Sequence, residues 1–271
     1  MENIRQAVER AKARAEQLSG PGLAPRQQVR HSLGIAYEGK ARTNEVELDL
    51  AYLQSQRIVT YDGKDPRSRP FDILRTEVLQ SMDLQEWKIL AVTSPTPSCG
   101  KTLVAVNLAL SMGRQTERQV LLVDLDVRKP QVAASLGLKC REGLLGLIEG
   151  RIELNRAIVP IQAGNSNLEV LPTAPNSNAA DVVDASGFHG VLRDIAEYAR
   201  SRIVILDLPP LLMGHDVISI LPQVDCVLLV GAMGRSKVTD IEECEKHLQS
   251  TPLVRFVLNK TPYSEESCTY Y

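Results

Sequence analysis

The stretch 94-SPTPSCGKT-102 carries the residue types of a loop that binds phosphate. The usual pattern is G-x-x-x-x-G-K-[ST], in which backbone N–H groups surround phosphate oxygens, the lysine adds a charge and the hydroxyl ligates Mg²⁺. Gly100, Lys101 and Thr102 fill its second half, while Pro95 stands where the first glycine belongs. A bare GKT is common, so its neighbours decide. Two further acidic sites fit the same chemistry. Asp124 and Asp126 close 119-QVLLVDLD-126, and Asp207 closes the apolar part of 203-IVILDLPP-210. Strand residues alternate sides, so carboxylates two apart can face one cleft. Ligands of parallel sheets bind beyond the carboxyl ends of the strands. Lys101, Thr102, Asp124, Asp126 and Asp207 are therefore expected to converge on one Mg²⁺–nucleotide site, with Lys101 facing solvent or ligand rather than core.

The elements that must position these residues are legible in the pattern. Short apolar runs at 88–94, 119–126, 168–172, 203–210, 225–231 and 253–259 read as buried strands. Helical patterns cover 71–82, 103–113, 181–200 and 236–249, so strands and helices alternate. This is the signature of an α/β fold in three layers, a mainly parallel sheet covered on both faces. The GKT follows a strand and opens a helix, as a phosphate loop requires. Residues 1–65 have a different character. Ile4, Val8, Ala11, Ala15 and Leu18 form a thin helical stripe over 3–18. From 19 to 65 the chain reads as an extended arm, mostly linker, with a short ordered piece near Val46–Tyr52. The expected organisation is an N-terminal helix and arm at 1–65, a nucleotide-binding domain at 66–259 and a polar tail at 260–271.

Bulk properties exclude several classes. A net charge of −2 gives no general attraction for nucleic acid. The five cysteines lack CxxC spacing, which argues against a zinc site or a disulfide framework. No apolar run is long enough to span a bilayer, and the charged opening MENIRQAVERAKARAEQ is unlike a signal peptide. The expectation is a soluble, cytoplasmic chain.

The set 94-SPTPSCGKT-102, 121-LLVDLDVRKP-130 and 204-VILDLPP-210 resembles the Walker A, A′ and B motifs of bacterial tyrosine kinases. These are P-loop NTPases of the MinD/ParA-like branch. The segments 73-ILRTEVLQSM-82, 106-VNLA-109, 143-GLLGLIEG-150, 171-LPTAPNSN-178 and 257-VLNK-260 follow in the family's order, and the details look nearest to the cytoplasmic autokinases of exosortase-type exopolysaccharide clusters. The resemblance implies ATP- and Mg²⁺-dependent autophosphorylation on a C-terminal tyrosine cluster and control of exopolysaccharide synthesis and export. It further implies homo-oligomers, and recruitment to the inner face of the membrane by an activator of the polysaccharide co-polymerase type. The other function class in this branch is the positioning ATPase, a nucleotide-dependent assembly switch. Such ATPases carry an early lysine in a KGGxGK loop. Thr96 occupies that position here, which favours the kinase.

On this reading Pro97, Ser98, Cys99, Gly100, Lys101, Thr102 and Leu103 surround the phosphates, and Thr102, Asp126 and Asp207 hold Mg²⁺. Asp124 accepts the tyrosine proton, a role that Asp126 could exchange with it, and Arg128 stabilises charge on the transferring group. Asn259 resembles a base-contacting position, its plainer role being a strand-end turn. Asp216 is a candidate sensor of the γ-phosphate. Cys99 has either a redox role or, more simply, a tolerant place in the loop. The ending 260-KTPYSEESCTYY-271 offers Tyr263, Tyr270 and Tyr271 as phosphoacceptors in a tail with no apolar stripe. The family's E-x-x-R-x-x-R subunit-contact motif is reduced to Arg69, Asp72 and Arg75, only Arg75 matching. Arg75 is then either a contact residue or a solvated helix charge.

Overall fold

A computed structural model describes residues 45–115, 119–175, 185–213 and 215–261, without the side chains of 185–188, 215–216 and 253–254. The stripe over 3–18, most of the arm and the three tail tyrosines lie outside the described residues.

The described strands are β1 (Val46–Glu47), β2 (Ile89–Thr93), β3 (Gln119–Asp124), β4 (Val159–Ala163), β5 (Ser166–Leu171), β6 (Arg202–Asp207), β7 (Cys226–Ala232) and β8 (Leu253–Asn259). They form one sheet in the order β1-β4-β5-β3-β6-β2-β7-β8. All neighbours are parallel except β4 and β5, which make an antiparallel hairpin. β2 and β7 are buried end to end and β6 from Ile203 onward, as strands covered on both faces must be. Their alternation sorts the core. Leu90 and Val92 belong to one apolar cluster, and Ile89 and Ala91 to the other.

Helices α1 (Leu50–Ser55), α2 (Arg69–Leu84) and α3 (Lys101–Gly113) supply Leu53, Val78, Met82, Val104 and Leu108 to the first cluster. The shorter α4 (Val132–Leu136) follows β3; α5 (Gly143–Ile148) and α6 (Leu154–Ala157) precede β4. Helices α7 (Ala185–Tyr198), α8 (His215–Ile220) and α9 (Val238–His247) cover the other face with Ile195, Val217, Ile220 and Cys244. The three-layer, mainly parallel architecture expected from the sequence is the one found.

Two expectations are corrected. The ordered piece expected near Val46–Tyr52 is present as β1 and the start of α1, but the order does not end there, and the rest of the segment to 65 is no linker. Leu53 and Ile58 are fully buried, Tyr61 nearly so, and β1 pairs with β4. A single side chain fastens this segment to α3. Asn107 Oδ1 accepts the N–H groups of Val59 at 3.0 Å and Thr60 at 3.3 Å, and its Nδ2 donates to the carbonyls of Arg57 and Leu103. Thr60 Oγ1 donates to the Asn107 carbonyl at 2.6 Å. A buried amide with this many partners stabilises, whereas the same amide unpaired would cost.

Arg75 is not a solvated charge, being only 5% exposed. Its Nη1 lies 3.0 Å from Asp72 Oδ1 and donates to the carbonyl and hydroxyl of Ser111. Arg114 shares the same carboxylate, and Ser111 Oγ donates to it at 2.6 Å. Burial works to raise the Asp72 pKa, but the hydrogen bonds from Ser111 and Arg114 outweigh it and hold the carboxyl below its ordinary value of 3.8. One carboxylate thus separates two guanidinium groups and ties α2 to the end of α3.

Asp72→Ala leaves those two cations facing each other. It is expected to destabilise the fold by about 2 kcal/mol, measured by urea denaturation, since breaking one side of a largely buried pair strands the other. Because the folded pKa of Asp72 is lowered, its stabilisation is full above the ordinary value of 3.8 and is lost as pH falls through the lower one. The gap between wild type and variant should therefore close only in strong acid.

Candidate active site

The phosphate-loop sequence bridges β2 and α3, with Ser98 and Gly100 at positive φ, 62° and 93°. Its carbonyls are nearly all taken. Ser94 O and Pro95 O accept the N–H groups of Leu211 and Leu212. Thr96 O accepts from Ser94 Oγ and Cys99 Sγ. Pro97 O, Ser98 O and Cys99 O accept from Arg235, Lys260 and Asn259, and Gly100 O takes the Val104 N–H. By contrast, among the described residues none of the N–H groups of Ser98, Cys99, Gly100, Lys101 and Thr102 is spent on a protein acceptor. Donors are left over and acceptors are not, which is the polarity of an anion nest at a helix N-terminus.

Below the loop lie the carboxylates. Lys101 Nζ stands 2.8 Å from Asp126 Oδ2 and 3.5 Å from Asp207 Oδ1. Thr102 Oγ1 donates to Asp207 Oδ2 at 2.7 Å. Lys101 is 8% exposed and Asp207 fully buried, which corrects the expectation of a lysine facing solvent. Burial disfavours its ammonium, but the charges of Asp207 and Asp126 overcome that and raise its pKa. Burial also raises the Asp207 pKa, with Lys101 opposing.

Asp124 and Asp126 do not share a strand. β3 stops at Asp124, and Asp126 sits in the turn that follows. Asp124 Oδ1 accepts the Asp126 N–H, and its Oδ2 accepts those of Gln131 and Val132 at 3.0 and 2.9 Å. It therefore folds the chain from 126 to 132 around itself. Burial first, then the Asp207 charge, push its pKa up to about 8, although the Val132 N–H pulls the other way. Taking a proton from a tyrosine would require this turn to release one of those bonds. Asp126, in contact with Lys101, has its second oxygen on the Lys129 N–H. Arg128 lies exposed on the same turn.

The residues Thr102, Asp126 and Asp207 suit a Mg²⁺ ion. Asp207 Oδ1 is buried without a hydrogen-bond partner, which a cation would relieve. Among the described residues no cluster of three or more acidic, His or Cys side chains makes a complete metal site.

Asn259 is committed to the loop. Its Nδ2 binds Cys99 O, and its Oδ1 accepts the Lys260 N–H. A Cβ on Gly100 would lie 2.1 Å from that Nδ2, so only glycine admits this contact. Cys99 is fully buried, its Sγ near Thr96 and 3.4 Å from Ser236 Oγ, a packed position rather than an accessible thiol. Arg235 had no signal in the sequence, Ser236 was read only as the start of a helical pattern, and Lys260 entered only as the last residue of 257-VLNK-260, with no role attached. The side chains of His215 and Asp216 are outside the described residues, as are positions 176–178 of 171-LPTAPNSN-178.

No family model matches the chain. It is 27% identical over 246 residues to the putative tyrosine-protein kinase EpsB of Ralstonia nicotianae, covering 84% of this chain and 31% of that protein. The chain thus spans about a third of that relative's length. It is 29% identical over 201 residues to the tyrosine-protein kinase CpsD of Streptococcus pneumoniae, covering 72% of this chain and 84% of that one. Among solved structures, the kinase domain of VpsO superposes with a TM-score of 0.61 at 26% identity, over 72% of this chain and 97% of that domain. No helix among the described residues is long and apolar enough to cross a membrane.

Lys101→Ala is expected to lower ligand-free stability by about 3 kcal/mol, because it leaves Asp126 and Asp207 uncompensated inside the protein. Chemical denaturation monitored by circular dichroism checks this. An unchanged midpoint would show that the carboxylates shed their charge without help from the lysine.

Proposed function

We propose that this relative of the bacterial tyrosine-protein kinases binds ATP with Mg²⁺ and phosphorylates its own C-terminal tyrosines. The observation that carries the reading is the loop whose carbonyls are capped while its amides stay free, set directly over Lys101, Thr102, Asp126 and Asp207.

Phosphoryl transfer asks a protein mainly to position the reactants and neutralise charge. The amides from Ser98 to Thr102 take phosphate oxygens, and Lys101 exchanges carboxylate partners for phosphate. Thr102, Asp126 and Asp207 would hold Mg²⁺, which when bound neutralises charge on the β- and γ-phosphates. A tyrosine oxygen forms the new bond to the γ-phosphorus as the bond to the bridging oxygen breaks, leaving ADP. The phenolic proton must go to a base, since a free tyrosine has a pKa of about 10. Asp124, beside this cluster, is the base we assign, once its turn releases one of the backbone N–H groups it accepts. Arg128, on the turn beside Asp126, adds positive charge for the transferring group.

The acceptors we assign are Tyr270 and Tyr271, with Tyr263 minor. Tyr263 is four residues past Asn259 and reaches about 13 Å at full extension, whereas the terminal pair can travel about 40 Å. That is far enough for transfer between subunits of a homo-oligomer. Resemblance to the exopolysaccharide-associated autokinases extends the proposal to control of polysaccharide synthesis and export. It also extends it to recruitment of a cytoplasmic chain to the inner membrane face by an activator of the polysaccharide co-polymerase type.

Incubation with ATP and Mg²⁺, with and without a candidate activator, followed by mass spectrometry should find phosphotyrosine at 270 and 271. The double substitution Tyr270→Phe and Tyr271→Phe should remove most of it. Lys101→Ala, assayed where it is folded, should lower transfer by at least about 100-fold. Release of inorganic phosphate with no phosphotyrosine under activating conditions would reject the kinase and favour a MinD- or ParA-like assembly switch.

A further inference from the structure

Three consecutive carbonyls of the phosphate loop are held from one side by three side chains. Arg235 Nη1 donates to Pro97 O at 3.4 Å, Lys260 Nζ to Ser98 O at 2.8 Å and Asn259 Nδ2 to Cys99 O at 2.9 Å. Arg235 comes from the turn between β7 and α9. Asn259 ends β8, and Lys260 follows it at a positive φ of 59°. The turn is itself pinned, since Ser236 Oγ accepts the Ala232 N–H and the Met233 N–H donates to Asn259 O.

The peptide unit is planar and trans, so its C=O and the next residue's N–H point in opposite directions. Pro97 O shares a peptide with the Ser98 N–H, Ser98 O with that of Cys99, and Cys99 O with that of Gly100. Fixing these carbonyls on one side aims the three amides to the other. Two of the three donors are cations, which polarise the peptides they bind and make the N–H ends stronger donors. The same stretch carries the non-glycine residue Ser98 at a φ of 62°, a conformation that persists only where the surroundings hold it. The chain, moreover, has Pro95 at the position of the usual first glycine.

We propose that Arg235 and Lys260 are positioning residues of the phosphate site. By binding the outer carbonyls of the loop they hold and polarise the Ser98 and Cys99 amides for an anion. The inference rests on the reading of this loop as a nucleotide-phosphate site. Neither side chain is part of the core, both being exposed, so their removal leaves the apolar packing intact.

The test is isothermal titration of Mg²⁺–ADP into the full chain, alongside ligand-free denaturation and ATP kinetics. Arg235→Ala and Lys260→Ala should each weaken ADP binding on the order of 10-fold, and the double variant more, with ligand-free unfolding midpoints unmoved. Arg235→Lys and Lys260→Arg should recover most of the loss, and the KM for ATP should rise by a larger factor than kcat falls. A double variant that binds ADP within twofold of wild type overturns the proposal. So does a loss of binding matched by a lowered unfolding midpoint and not recovered by the conservative exchanges, which marks a merely structural role. A wild-type chain that binds no Mg²⁺–ADP rejects the nucleotide reading itself, and this inference with it.

Discussion

One ammonium group stands among buried carboxylates, and much of the molecule is arranged to make that tolerable. Lys101 contacts Asp126 and Asp207 at a point where two strand-end acids, Asp124 and Asp207, meet the turn acid Asp126 and solvent is largely excluded. A buried charge persists only when it is paired and hydrogen-bonded. The backbone around Asp124 and the Thr102 hydroxyl supply further bonds, though Asp207 Oδ1 is left without one. β3 and β6 are adjacent and in register, Asp124 opposite Asp207, so the acids meet because the sheet order brings those strand ends together. β2 lies next to β6 and delivers the loop and Lys101 to the same edge.

The loop above this cluster shows how a polypeptide can be made electropositive on one side. Peptide groups carry both signs, and a loop becomes a nest only if its acceptors are satisfied elsewhere. Here the donors come from the segment after β6, from the loop's own Ser94 and Cys99, and from the β7 turn and the end of β8. Four separated stretches of sequence thus sort the polarity of one short loop. That is why Pro95 in place of glycine does not by itself spoil the geometry: the path is held from outside rather than by backbone freedom alone.

What could be read from the sequence follows from this division. Strands buried on both faces leave continuous apolar runs, so β2, β3, β6, β7 and β8 were visible, and the GKT between β2 and α3 marked the site. β4 was missed because it lies near the sheet edge, mixes buried and exposed positions and contains Pro160. The segment 53–65 was misread because its anchor, Asn107, lies far away in a mostly apolar helix. An amide side chain within the largely apolar 103-LVAVNLALSMG-113 was the available clue. Arg75 was left open between a subunit contact and a solvated charge because helical periodicity cannot show that Ser111 and Arg114 complete its surroundings. Lys101 looked accessible because motif spacing places a side chain near a ligand without saying what it touches when none is bound. No role for Arg235 or Lys260 could be read, although Lys260 ends the quoted 257-VLNK-260, since that role depends only on which carbonyls the fold places within reach.

The pairing of Lys101 with the acids also constrains what the site can admit under the proposed function. A polyphosphate arriving alone draws the ammonium toward itself and leaves Asp126 and Asp207 with less compensation in a buried setting. A divalent cation arriving alone meets that ammonium at the carboxylates it needs. The two together remove both penalties, because the anion takes the lysine while the cation takes the acids. Selection for a metal–polyphosphate pair over either component thus needs no additional recognition residue. It follows from one lysine having two alternative sets of partners and from a cluster too well buried for water to serve as either.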